Sequence, residues 1–227
     1  MKHLFHKFLS VILSLPLGGV GGGFLLASCD AHDDHEVIDT SMHVCDIVCT
    51  DGSVVRYDDY KANNKTASAI VFHVNNDGKG QGKGYAVCLN DIKSVAFTDS
   101  LGVKQGTTCS TTDYDGNSNT YALYNASRVY SPMAEAVSAY LCYGQSAYIP
   151  SVAQMQLLYD NKLMVNQYLQ NCGGTALPDT PNGWYWTSTE VEDQAENKAW
   201  LYSLVSGAML ETSKIQEHRV RPIITIW

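Results

Sequence analysis

The stretch WYWTSTE at 184–190, read with YIPSVAQMQLLYDN at 148–161, decides the fold class. In the earlier segment Pro150 and Ser151 open a run whose apolar residues Val152, Met155, Leu158 and Tyr159 recur at helical spacing. Ser151 is placed to cap the free N–H groups of the first turn. The later segment is built of Trp, Tyr and Thr, which favour a pleated, half-buried surface. A capped helix is thus followed by a strand of aromatic residues. On such a strand Trp184 and Trp186 share one face and Tyr185 and Thr187 the other. Core packing is the first reading of both tryptophans, and stacking on a ligand the second.

Outward from this pair the pattern continues in the same style. KLMVNQYLQNCGG predicts a second helix closing at Gly173 and Gly174, and NKAWLYSLVSG, AMLETSKI and HRVRPIITIW read as short strands. Upstream, HVCDIVCTDGSVVRY (43–57) alternates around Asp51 and Gly52, a hairpin signal. AIVFHVN (69–75) and GYAVCLN (84–90) form a second hairpin around DGKGQGKG, and residues 94–110 hold one more strand and a loop. That Gly- and Lys-rich loop lacks phosphate-loop spacing, since no Ser or Thr follows Lys83. DYDGNSNTYAL (113–123) alternates Asp113, Asp115, Asn117 and Asn119 like a calcium loop, but its glycine is fourth rather than sixth and Tyr124 stands where a bidentate Glu belongs. A turn leading into a helix, capped by Asn119 and Thr120 and running through ALYNASRV, is the expectation there. A further helix, MAEAVSAYLCY, follows Ser131 and Pro132.

Four of these segments, in order, resemble a known family. Ile149, Pro150 and Ser151 at a helix start, Tyr185, Trp186, Thr187, Ser188 and Thr189 in a strand, Trp200 through Gly207 in an aromatic strand ending in Gly, and Arg219, Val220, Arg221 in the last strand are similar to the DUF1566 and Lcl C-terminal type domain and its paralogues in surface proteins of Bacteroidota. The resemblance spans roughly residues 45–227, with Gln154 at the usual acidic position and Thr187 at the usual first Ser. It implies a C-type-lectin-like α+β fold: small antiparallel sheets, two or three packed helices, preceding β-hairpins, and the first and last strands brought together. The expected organisation is a β-rich part at 43–112 and the lectin-like domain at 113–227. Pro150, Ser151, Ser188, Thr189, Arg219 and Arg221 then carry structure. The two arginines share a face and are expected to pair with carboxylates such as Glu190, Glu192 or Asp193, with the clamping of a ligand as the second reading.

The amino terminus implies export. Lys2 and Lys7 precede twenty uncharged residues, Phe8 to Ala27, in which Pro16 and the glycines from Gly18 to Gly23 disfavour a permanent membrane helix. Leu26, Ala27, Ser28 and Cys29 resemble the lipobox of bacterial lipoproteins, implying a signal peptide at 1–28 and lipidation of Cys29. Residues 29–42 read as an acidic tether, and acidic residues after a lipidated cysteine resemble the signal for display on the outer face of the outer membrane in Bacteroidota. His32, Asp33, Asp34, His35 and Glu36 are metal-ligand types, yet nothing in the run fixes a coordination geometry, so a solvated linker is expected.

Of 227 residues, 15 are Lys or Arg and 23 Asp or Glu, a formal charge of -8, which argues against nucleic acid as a partner. Charged residues make up only 17% while Tyr numbers 14 and Trp 4, so neutral polar and aromatic groups must form much of the surface. No catalytic constellation is legible: Cys45, Cys49, Cys88, Cys109, Cys142 and Cys172 show no local link to His43, His73 or His218, Ser188 lacks the glycines of a nucleophile elbow, and HExxH and CxxC pairs are absent. Cys45, Cys49 and Cys88 sit among apolar residues and read as buried thiols. Neither a cofactor nor a metal is expected. The acidic loop EVEDQAEN (190–197) between aromatic strands is the candidate contact surface, with Trp184, Trp186, Glu190, Glu192, Asp193 and Trp200 as its residues. The expected function is a non-catalytic, lipid-anchored surface protein binding a glycan or protein ligand; the alternative is a structural or accessory subunit of a surface assembly such as fimbriae.

Overall fold

The computed structural model describes residues 41–181 and 183–227. The signal segment, Cys29 and all of the tether before Ser41 lie outside the described residues. The architecture is α+β, as the resemblance implied.

The first sheet carries the centre of the core. Strands β1 (Ile47–Cys49), β2 (Val54–Val55), β3 (Ala67–Val74), β4 (Gly84–Cys88) and β12 (Ile223–Ile226) assemble antiparallel in the order β12-β4-β3-β1-β2. Along β3 the residues Ala69, Ile70, Val71 and Phe72 are all buried. Such an unbroken apolar run is what a strand needs when both its faces are covered. Ile70, Phe72, Tyr85, Val87 and Ile223 face helices α4 (Val152–Asp160) and α5 (Lys162–Asn171) through Met155, Leu158, Val165 and Leu169. Ala69, Val71, Ala86, Cys88 and Ile224 face the opposite cluster, with Met133, Ala134 and Val137 of α3 (Pro132–Ser138), Leu123 of α2 (Gly116–Tyr124) and Trp186.

The second sheet joins β5 (Ile92–Ala96), β8 (Trp184–Glu190), β9 (Lys198–Ser203), β10 (Met209–Ser213) and β11 (Glu217–Val220) in the order β10-β9-β8-β11-β5. Its one parallel contact sets Arg219 beside Tyr185. HRVRPIITIW, a single run in sequence, supplies β11 to this sheet and β12 to the first. Pro222, lacking a backbone N–H, stands at the crossing, and its carbonyl accepts from Cys88 N at 3.0 Å. The portions 43–112 and 113–227 therefore contribute strands to both sheets. The first and last strands lie in one sheet with β3 and β4 between them, so they do not pair.

Local signals are realised with adjusted bounds. Ser151 and Gln154 form a capping box, and the Ser151 hydroxyl accepts from Gln154 N at 3.3 Å. The helix expected to be capped by Asn119 and Thr120 starts earlier, at Gly116, and stops at Tyr124 instead of running on through Val129. Asn119 and Thr120 lie inside it, where Thr120 Oγ1 donates to Gly116 O at 2.8 Å. MAEAVSAYLCY is helical only to Ser138; beyond it β6 (Leu141–Cys142) and β7 (Gln145–Ser146) make a small hairpin turned by Tyr143 and Gly144, both at positive φ. A short helix α1 (Tyr57–Ala62), with no apolar stripe to announce it, follows β2. Among the described residues no helix is long and apolar enough to cross a membrane.

Candidate functional site

A buried ion pair anchors the region around the acidic loop. Glu190 ends β8 with 1% of its side chain exposed, and Lys214, just past β10, has 0%. The Lys214 ammonium donates to Glu190 Oε1, to Ala195 O, and to Val103 O at 3.3 Å. Glu190 also accepts from Gln105 N and Thr107 Oγ1, both at 2.9 Å. Burial pulls the Lys214 pKa down, and the Glu190 carboxylate opposes that shift. Every strong donor and acceptor of the pair is matched, so two surface segments, 103–107 and 190–195, are pinned from beneath.

Above this anchor lies a cleft of about 710 Å3, with Thr108 through Thr112 on one wall and Val191 through Gln194, Trp200 and Glu211 on the other. Glu192 and Asp193 are exposed on the 3-10 turn Glu192–Gln194. Trp200 is half-buried on β9, directly across from Glu211 of β10, and its inner edge packs on the first core cluster. Lys198, 3.2 Å from the Glu211 carboxylate, is engaged by it. The Thr108 wall is held by α2: Asn119 Oδ1 accepts from Thr108 N at 2.9 Å, and Thr108 Oγ1 donates to Asp115 Oδ2. Burial raises the Asp115 pKa, while the bonds from Thr108 and Asn119 counter it. Cys109 shares the cleft, and its thiol is pushed up by burial and by the Glu190 charge. The cleft thus offers one aromatic face, a row of hydroxyls and three carboxylates, the dress of a site for a polar ligand with an apolar face.

The structure divides the expected residues. Glu192, Asp193 and Trp200 meet in the cleft. Trp186 does not: it is fully buried, its ring nitrogen donates to Val95 O at 2.9 Å, and it packs on Phe97 and His218. Trp184 is half-buried against the same cluster as Trp186, which confirms their common face and removes both from the cleft. Glu190 is likewise withdrawn from the surface by Lys214.

The expected pairing of Arg219 and Arg221 with Glu190, Glu192 or Asp193 is corrected by Asp91. Arg221, fully buried, donates to Asp91 Oδ1 at 2.7 Å, to Thr175 O at 2.8 Å and to Leu89 O at 3.1 Å. Arg219 lies 3.8 Å from Asp91 Oδ2 and over the Tyr185 ring, whose hydroxyl also donates to Asp91. The parallel register carries the arginines to the end of the sheet opposite the acidic loop. Ser188 and Thr189 serve the helix start: Ser188 N donates to Pro150 O at 2.9 Å, and Thr189 Oγ1 accepts from Val152 N at 3.2 Å. Sequence reasoning missed Asp91, Lys214 and the 108–112 wall, because an isolated charge in a turn and a Thr-rich loop look alike whether solvated or buried.

No family profile and no curated protein matches the chain. Among solved structures it is similar to a fimbrial protein from Bacteroides ovatus ATCC 8483, with a TM-score of 0.58 and 16% identity over 80% of this chain. The match covers 48% of that protein, so the chain spans about half its length. At this identity the likeness concerns the fold.

Proposed function

We propose that this chain is a non-catalytic cell-surface protein acting as a structural or accessory subunit of a surface assembly such as a fimbria. The observation that carries this reading is the fold shared with the fimbrial protein over four-fifths of the chain. The amino-terminal pattern supports lipid anchoring at Cys29 and display on the outer membrane, and the resemblance of four segments to the DUF1566-type domain agrees with an extracellular setting. The test is isolation of the full-length chain from the cell surface under mild shear. Co-purification in a high-molecular-weight filament fraction is expected; a chain found only as a free monomer overturns the assembly role.

A second reading rests on the cleft itself. Trp200, the hydroxyl wall and the carboxylates suit a neutral or amine-bearing saccharide, whose apolar face stacks on indole while its hydroxyls bond at the edges. Glycan-array binding by the full-length chain, abolished by Trp200→Ala but retained by Trp184→Ala, is expected. Equal binding by both variants excludes the cleft.

A further inference from the structure

Cys88 and Cys142 are distant in sequence and adjacent in space. Cys88, on β4, is fully buried, and Cys142, on β6, has 1% of its surface exposed; both belong to the core cluster around Trp186. Both are free thiols in the structure.

The placement has a local cause. Where β3 meets β1 the register slips, so that Val48 pairs with Ala69 but Cys49 with Ala67, leaving Ser68 as the extra residue of a bulge. Ser68 Oγ lies 3.1 Å from Cys142 Sγ, and the Cys142 thiol is 3.5 Å from Ser68 O. Ala69, the next residue, is the cross-strand partner of Cys88. The bulge therefore docks Cys142 beside Cys88. Among the other body cysteines, Cys45, Cys109 and Cys172 are partly exposed, and the buried Cys49 donates to Ile47 O at 3.8 Å.

We propose that Cys88 and Cys142 are a modification site, joined as a disulfide that fastens the β6–β7 hairpin to the first sheet when the chain meets an external disulfide oxidant. The bond forms by exchange as the chain folds, before the two thiols are enclosed. One thiolate of the pair displaces one thiol from a small-molecule disulfide such as oxidised glutathione, and the other thiolate then displaces the second. Two protons and two electrons leave the chain, and the oxidant ends as two thiols.

The link has a structural target. Tyr143 at the hairpin tip packs so closely on Gly52 that a Cβ there would come within 2.5 Å of its ring. Tyr143, Gly144 and Gln145 wall a cleft of about 680 Å3 shared with Lys83 and Trp227. A disulfide at the hairpin base fixes that wall.

The full-length chain, reduced, unfolded and refolded in a glutathione redox buffer, is the material for the test. Monomer is alkylated and peptide-mapped by mass spectrometry. A Cys88–Cys142 linked peptide is expected, with Cys45 and Cys109 alkylated. Alkylation of both Cys88 and Cys142, or their linkage to other cysteines, overturns the proposal. Reduction is expected to lower the Tm by about 5–10 °C and to speed amide exchange in 141–146 at least tenfold, whereas Cys88→Ser and Cys142→Ser show neither response to reductant. Equal exchange with and without reductant overturns the fastening role.

Discussion

Two ionic centres of the second sheet with buried members sit at opposite ends and differ in kind. The Glu190–Lys214 pair is sealed, with both side chains at or below 1% exposure, and its hydrogen bonds reach out to backbone in two surface segments. The Asp91 centre is graded: Arg221 is buried, Asp91 is 12% exposed and Arg219 is 42% exposed. Desolvation makes the first an all-or-none device, whose members are costly alone and satisfied together. The second divides its carboxylate between an interior arginine that carries structure and a surface arginine that solvent screens. The candidate cleft stands over the sealed centre, where its walls are held rigid from below.

Removing one member should separate the centres most sharply. Lys214→Met leaves Glu190 charged in the interior and is expected to cost about 3–5 kcal/mol in denaturant unfolding. Adding Glu190→Leu should recover only part of this, because Gln105 N and Ala195 O lose their partners. Full recovery would show that the pair does not organise the loops. At the graded centre, Asp91→Ala strands Arg221 and is expected to cost about 2–4 kcal/mol, somewhat less than Lys214→Met because water reaches the site. Arg219→Ala should cost about 0.2–1 kcal/mol, a loss that shrinks in 1 M salt; an effect indifferent to salt would place Arg219 with the sealed centre.

A pH scan probes the core between the two. Burial lowers the pKa of both His73 and His218, and His218 stacks edge-on against Trp186 with Nε2 out of solvent and unpartnered. Below the ordinary histidine value of 6.5 the unfolded chain takes up protons that the folded chain resists. The histidine contribution to stability should therefore be constant above about pH 7 and fall as pH drops through 6.5 toward the folded pKa values. His218→Gln is expected to flatten that fall, read as the slope of unfolding free energy between pH 7 and 5. Smallest of all, Glu192→Ala with Asp193→Ala should change stability by less than about 0.5 kcal/mol, while altering any ligand binding in the cleft.

Much of this was legible locally. Ser151 with Gln154 announced a capped helix, Asp51 and Gly52 a hairpin, and the alternation of 184–187 put Trp184 and Trp186 on one face opposite Tyr185. These are short-range consequences of backbone sterics, capping and the two-residue period of a strand, and they hold whatever surrounds them. The α+β class followed from the family resemblance that four such segments carry in order.

The partners of the charges were not legible. Glu190 and Glu192 are two residues apart in one acidic loop, yet the first is buried against Lys214 and the second lines an open cleft. Arg219 and Arg221 flank a single valine, and the parallel pairing of β11 with β8 delivered them to Asp91 instead of to that loop. A charge takes its role from what lies beside it after folding, and register and strand order set by distant hydrophobic contacts decide that. The sequence determined which elements form and which faces they bury; only the tertiary structure decided which acid met which base, because desolvation and Coulomb energy depend on neighbours that chain order does not specify.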